Sequence, residues 1–116
     1  MTSLTQLRLF GNKLSVLGPE LGALTALTAL DAGRNKLDAV PAAVCGLAGL
    51  RELDLASNAL KAVPDTLGAL TALRTLLLST NALTAVPPAL GALAALERLD
   101  LSQNALRTLP DALGAL

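Results

Sequence analysis

Asparagine recurs at Asn12, Asn35, Asn58, Asn81 and Asn104, with a spacing of 23 residues at every step. A fixed period of this size marks a solenoid, in which each repeat is one supersecondary unit that buries its apolar side against the next. The same frame surrounds each asparagine. One unit reads Leu50-Arg51-Glu52-Leu53-Asp54-Leu55-Ala56-Ser57-Asn58-Ala59-Leu60, and another runs from Leu96 to Leu106 in the same L-x-x-L-x-L-x-x-N-x-L pattern. The second half of the unit reads V/L-P-x-x-L-G-x-L, as in Val63 to Leu70. The chain therefore divides into five repeats, 4–26, 27–49, 50–72, 73–95 and 96–116, within one domain spanning 1–116.

Physical chemistry assigns a shape to this frame. Leu53 and Leu55 alternate with Glu52 and Asp54, the period of a half-buried strand. One such strand per repeat predicts five parallel strands about 4.8 Å apart, and parallel neighbours need a return segment on the far side. Pro41, Pro64, Pro87 or Pro88, and Pro110 are placed to start short helical or 3₁₀ stretches there, since proline has a preset φ and lacks an N–H. Gly22, Gly68, Gly91 and Gly114 recur in those stretches and read as close-packing or chain-turning positions. The asparagine marks the inward turn after the strand. Backbone groups carried inside the stack must be paired, and an amide offers both a donor and an acceptor. The five asparagines are therefore expected to form a structural ladder.

Three departures stand out. Ala32 occupies the inward position held elsewhere by Leu9, Leu55, Leu78 and Leu101, so repeat two is expected to be softer or filled by a neighbour. Gly18-Pro19 shifts the proline of repeat one by one place. Cys45 stands where other repeats have glycine and reads as a small half-buried residue; without a histidine in the chain, nothing marks it as a reactive thiol.

With these motifs the chain resembles the leucine-rich repeat superfamily from Leu4 to Leu116. Its 23-residue unit is similar to intracellular repeats of Ras-pathway and cell-polarity scaffolds and of bacterial proteins that fuse repeats to a GTPase or other domain. The resemblance implies an α/β solenoid: a right-handed curved stack, with the five-stranded parallel sheet on the concave face and short helices or 3₁₀ turns on the convex face. It implies little about function, because one fold carries many roles.

Composition narrows the functions. Nine basic and nine acidic residues cancel, and one phenylalanine is the sole aromatic. Nucleic-acid binding needs a basic stripe and, for single strands, aromatic platforms, so no nucleic-acid partner is expected. An apolar content of 53% and a mean hydropathy of +0.58 suggest a membrane at first sight. The longest uncharged stretch, Thr75 to Leu96, nonetheless contains Asn81 and Pro87-Pro88, which suit a loop and a helix start rather than lipid. No histidine, a single cysteine and no G-x-x-x-x-G-K-[S/T] loop leave no imidazole base, zinc cluster or phosphate loop. No enzyme activity, cofactor or metal is expected. The N-terminus carries no secretion signal, and the lone cysteine favours a reducing compartment, so the cytoplasm is the expected location. Polar capping repeats are missing from the pattern. The sequence therefore reads as an excerpt of a longer array, or else as a small protein that covers its ends by end-to-end self-association.

The outward strand positions are the candidate site. The first column is Gln6, Ala29, Glu52, Thr75 and Arg98; the second is Arg8, Asp31, Asp54, Leu77 and Asp100; the third begins with Phe10, and Arg34 lies just beyond it. The framework positions serve folding, which frees these positions to define a partner. Phe10 and Leu77 are the candidate anchors among charges, although Phe10 can equally shield the first repeat. Neighbouring acids such as Asp31 and Asp54 can hold a hard cation or act as an acid/base pair. The plainer reading is solvated charge on a strand face. The expected function is a non-catalytic module that grips a protein or peptide on its concave face. The alternatives are a targeting segment of a larger GTPase, kinase or ligase, and a self-assembling spacer.

Overall fold

The computed structural model describes residues 4–13 and 19–107. Gly18, Pro110, Gly114 and the final residues up to Leu116 lie outside them. Alternating Leu and polar residues form one three-residue strand in each repeat. These are β1 (Gln6–Arg8), β2 (Ala29–Asp31), β3 (Glu52–Asp54), β4 (Thr75–Leu77) and β5 (Arg98–Asp100). They pair in chain order, all parallel, and the register advances by one repeat at each step: Leu7, Leu30, Leu53, Leu76 and Leu99 are aligned.

Hydrogen bonding runs well past the strand ends. The Ala29 N–H donates to Thr5 O and the Leu9 N–H to Asp31 O. The Gly11 N–H donates to Gly33 O at 3.0 Å, and the Arg34, Ser57 and Thr80 N–H groups do the same one repeat further along each time. That last position, just before each ladder asparagine, sits in the left-handed region: Gly11 at φ 74°, Arg34 at 53°, Ser57 at 58°, Thr80 at 56° and Gln103 at 55°. Only glycine takes this geometry without steric cost. Arg34, Ser57 and Thr80 hold it with the inter-repeat bond and the asparagine behind them fixing the turn.

The return segments are 3₁₀ turns: Pro19–Ala23, Val44–Gly46, Asp65–Ala69 and Pro88–Ala92. Pro41, Pro64 and Pro87 sit at their entrances, and their carbonyls accept the N–H groups of Val44, Leu67 and Leu90. Pro64 and Pro87 are extended (ψ 150° and 149°) and precede the turn, so in repeat four it is Pro88 that opens the turn itself. Gly68 is a close-packing position. A Cβ built there would lie 2.6 Å from Ala89 O in the next turn, whereas one on Gly22 would meet only Ala43 Cβ, at an ordinary 3.6 Å. Cys45 brings a side chain to the equivalent place in repeat two. The turn there shortens to three residues, against five in the two turns that follow.

The core lies between sheet and turns. Leu30, Leu50, Leu53, Leu55, Leu67, Leu73 and Leu76 are among its fully buried side chains. Each contributes about 1.5–3 kcal/mol on burial. Ala32 is also fully buried, so the smaller side chain does not open its site to solvent. Toward the ends the inward residues Leu7, Leu9, Leu99 and Leu101 are only half-buried.

The asparagine amides connect the repeats. Asn58 Nδ2 donates to Leu55 O and Ala56 O in its own repeat and to Ala32 O in the preceding one. Its Oδ1 accepts the Leu37 N–H at 3.0 Å. Asn81 and Asn104 repeat this pattern, with Leu60 and Leu83 as the N–H donors. Asn35 donates to Leu9 O, Ala32 O and Gly33 O and accepts the Asn12 N–H. Carbonyls are shared along the column: Leu55 O receives both Asn58 and Asn81. Asn12 is exposed, and its Nδ2 donates to Phe10 O at 3.4 Å. Among the described residues no buried side-chain polar atom lacks a partner.

Candidate partner-binding face

The strand pleat sends Gln6, Glu52, Thr75 and Arg98 outward at the first position, and Arg8, Asp31, Asp54, Leu77 and Asp100 outward at the third. A depression of about 260 Å³ crosses this face. It gathers Gln6, Arg8, Asp31, Glu52, Asp54, Thr75 and Leu77, seven of the eleven candidate residues, around Ala29. Repeat two has the smallest outward side chains, Ala29 and Gly33, between larger neighbours. Phe10, Arg34, Arg98 and Asp100 lie outside the depression. Phe10 is half exposed, and the Arg34 guanidinium stands over its ring at 5.2 Å, a cation–π contact.

The aspartate column is more than solvated charge. Asp31 Oδ1 accepts the Gly33 N–H at 3.1 Å, Asp54 Oδ1 the Ala56 N–H at 2.9 Å, and Asp100 Oδ1 the Ser102 N–H at 3.0 Å. Each aspartate closes a local turn two residues on. Ser102 adds its hydroxyl to Asp100 Oδ1 at 2.6 Å. One oxygen of each strand-face acid is thus committed to the backbone. The signal was present in the sequence as Asp-x-small, in Asp31-x-Gly33, Asp54-x-Ala56 and Asp100-x-Ser102. Among the described residues, no group of three or more His, Cys, Asp or Glu is placed to hold a metal ion, and no helix is long and apolar enough to cross a membrane.

Two of these carboxyls are shifted in opposite senses. Burial pushes Asp54 above the usual carboxylate value of 3.8 and Asp31 adds to the rise, against the Ala56 N–H and Arg98. The Ser102 hydroxyl, then its N–H, hold Asp100 below that value. A carboxyl raised on folding costs stability once it ionises. The cost is absent below the unfolded value and complete above the folded one. Asp54→Asn keeps an Oδ1 acceptor for Ala56 and cannot ionise. It is expected to melt higher than the parent at pH 7, with the gain vanishing towards pH 3. Asp100 contributes stability above 3.8 that is lost as pH falls, so Asp100→Asn is expected to melt lower at pH 7. Thermal melts at the two pH values check both, and an Asp54→Asn chain less stable than the parent at pH 7 would refute the first.

A second depression, of about 360 Å³, runs along the entry edge of the strands, lined by Thr28, Arg51, Arg74 and Glu97 beside Gln6, Ala29, Glu52 and Thr75. These four rim residues lie outside the outward columns read from the sequence. Each immediately precedes a strand, at the same frame position one repeat apart, so the period alone locates them.

A search of curated protein sequences gives no match. Solved structures are closely similar. A leucine-rich repeat protein of Leptospira interrogans is 32% identical, with a TM-score of 0.83, over 90% of this chain and 26% of its own. An internalin of Listeria monocytogenes is 32% identical, with a TM-score of 0.84, over 99% of this chain and 33% of its own. A chain from the BIR3–SERK2 complex of Arabidopsis thaliana is 31% identical, with a TM-score of 0.83, over 95% and 62% respectively. This chain thus spans about a quarter to three fifths of those proteins. The leucine-rich repeat family profile matches residues 2–60 and 71–116. Taken with the parallel sheet and its 3₁₀ returns, that match shows that the chain belongs to the leucine-rich repeat family.

Proposed function

We propose that this chain is a non-catalytic protein-interaction module that grips a protein or peptide on its strand face. One observation carries the reading: seven outward residues of mixed charge and size converge on a single depression, and their side chains take no part in the core or the asparagine ladder. The solved complex of a similar chain with another protein supports a protein partner. Hot spots favour anchors ringed by polar groups, and Leu77, aligned with Asp54 and Asp100 on the neighbouring strands, fits that description. Substituting Glu52, Asp54, Leu77 or Arg98 is expected to weaken partner capture at least tenfold while moving the melting temperature by only a few degrees. Surface changes of this kind typically alter stability by about 0.5 kcal/mol or less. Capture that withstands all four substitutions would place the site elsewhere.

A further inference from the structure

The depression has a chemical bias that the whole chain lacks. The protein is neutral, with nine acidic and nine basic residues. The residues lining the depression include three carboxylates, Asp31, Glu52 and Asp54, and one guanidinium, Arg8. We propose that its occupant is a basic side chain, an arginine or lysine of a partner peptide, seated between Asp31 and Asp54. This rests on the strand face being the binding surface and names the chemistry that the surface selects.

The geometry favours an organic cation over a metal ion. Asp31 Oδ1 and Asp54 Oδ1 both lie 3.4 Å from the point where a Cβ on Gly33 would sit, so the two carboxyls flank the same small residue on neighbouring strands. Each Oδ1 already accepts a backbone N–H. The second oxygen of each carboxyl accepts no hydrogen bond among the described residues. Two such oxygens fall far short of the six to eight that calcium takes. They suit a guanidinium, whose donors form a planar fork, or an ammonium. Leu77 on the same wall offers an apolar surface for the aliphatic stem. The arrangement also works against the fold, since burial, and to a lesser extent Asp31, disfavours the Asp54 charge. A stability cost held at a surface site is characteristic of function.

The test is selection of a random displayed-peptide library on the immobilised chain, followed by affinity measurement for the enriched peptides. The variants are Asp31→Asn/Asp54→Asn, which keeps both turn-closing acceptors, and Leu77→Thr. The expected result is peptides sharing one Arg or Lys. These bind the double variant at least tenfold more weakly, lose affinity as salt rises, and fail when citrulline replaces the arginine. Neutral or acidic peptides that are lost on Leu77→Thr but indifferent to the double variant would overturn the basic-partner inference and leave the binding face standing. Peptides indifferent to both variants, or no enrichment, would overturn both. Millimolar calcium that displaces the peptides and shifts the amide resonances of Gly33 and Ala56 would reassign the site to a metal ion and overturn the inference.

Discussion

Leu53→Ala should bring the protein close to unfolding. Leu53 is fully buried at the centre of the middle strand, with Leu30 and Leu76 aligned on either side. Removing a buried leucine side chain costs its transfer free energy plus that of the cavity left behind, about 2–5 kcal/mol. A domain of this size has roughly 5–15 kcal/mol in total. The melting temperature is therefore expected to fall by on the order of 10 °C or more. The equivalent change in the last strand, Leu99→Ala, should cost distinctly less, because Leu99 is only half-buried. Urea or thermal denaturation of the pair checks the gradient. Equal losses at both positions would mean that the centre of the stack is no better packed than its edge.

The second large effect is expected at the ladder. Asn58→Ala removes four hydrogen bonds, but their loss is not felt equally. The three carbonyls keep other donors: Asn35 reaches Ala32 O, Asn81 reaches Leu55 O, and the Arg34 N–H reaches Ala56 O. The Leu37 N–H has Asn58 Oδ1 as its acceptor and is left without one. An orphaned buried donor costs about 1–3 kcal/mol. Asn12→Ala removes one long, exposed bond from the Asn12 amide and should change stability little. Comparative melts test the contrast, and amide exchange at Leu37 supplies a local readout. Protection of that amide in Asn58→Ala equal to the parent would refute the mechanism.

The sequence made the framework readable because every framework position answers to a physical need that recurs each 23 residues. Leu53 and Leu55 must face inward, Asn58 must serve the buried turn, and Pro64 stands at the entrance of a return where its missing N–H is harmless. Departures from the period were harder to read. Cys45 signalled a small residue, yet nothing in the period showed that the turn around it would shorten to three residues. The left-handed backbone at Arg34, Ser57, Thr80 and Gln103 was hidden because these residue types do not favour it. Gly11, in the same column, was the available signal. The candidate face was legible as columns. Its depression was not, because it arises from the contrast between Ala29 and the larger side chains of adjacent repeats.

Labour is divided in this fold between inward residues that hold the stack and outward strand residues that face a partner. The most direct test is the thermal melt of one variant carrying Glu52→Gln, Asp54→Asn, Leu77→Thr and Arg98→Gln together. The account predicts an unchanged circular dichroism spectrum and a melting temperature within a few degrees of the parent. A loss of stability as large as that of Leu53→Ala would show that the outward face is itself part of what holds the stack together.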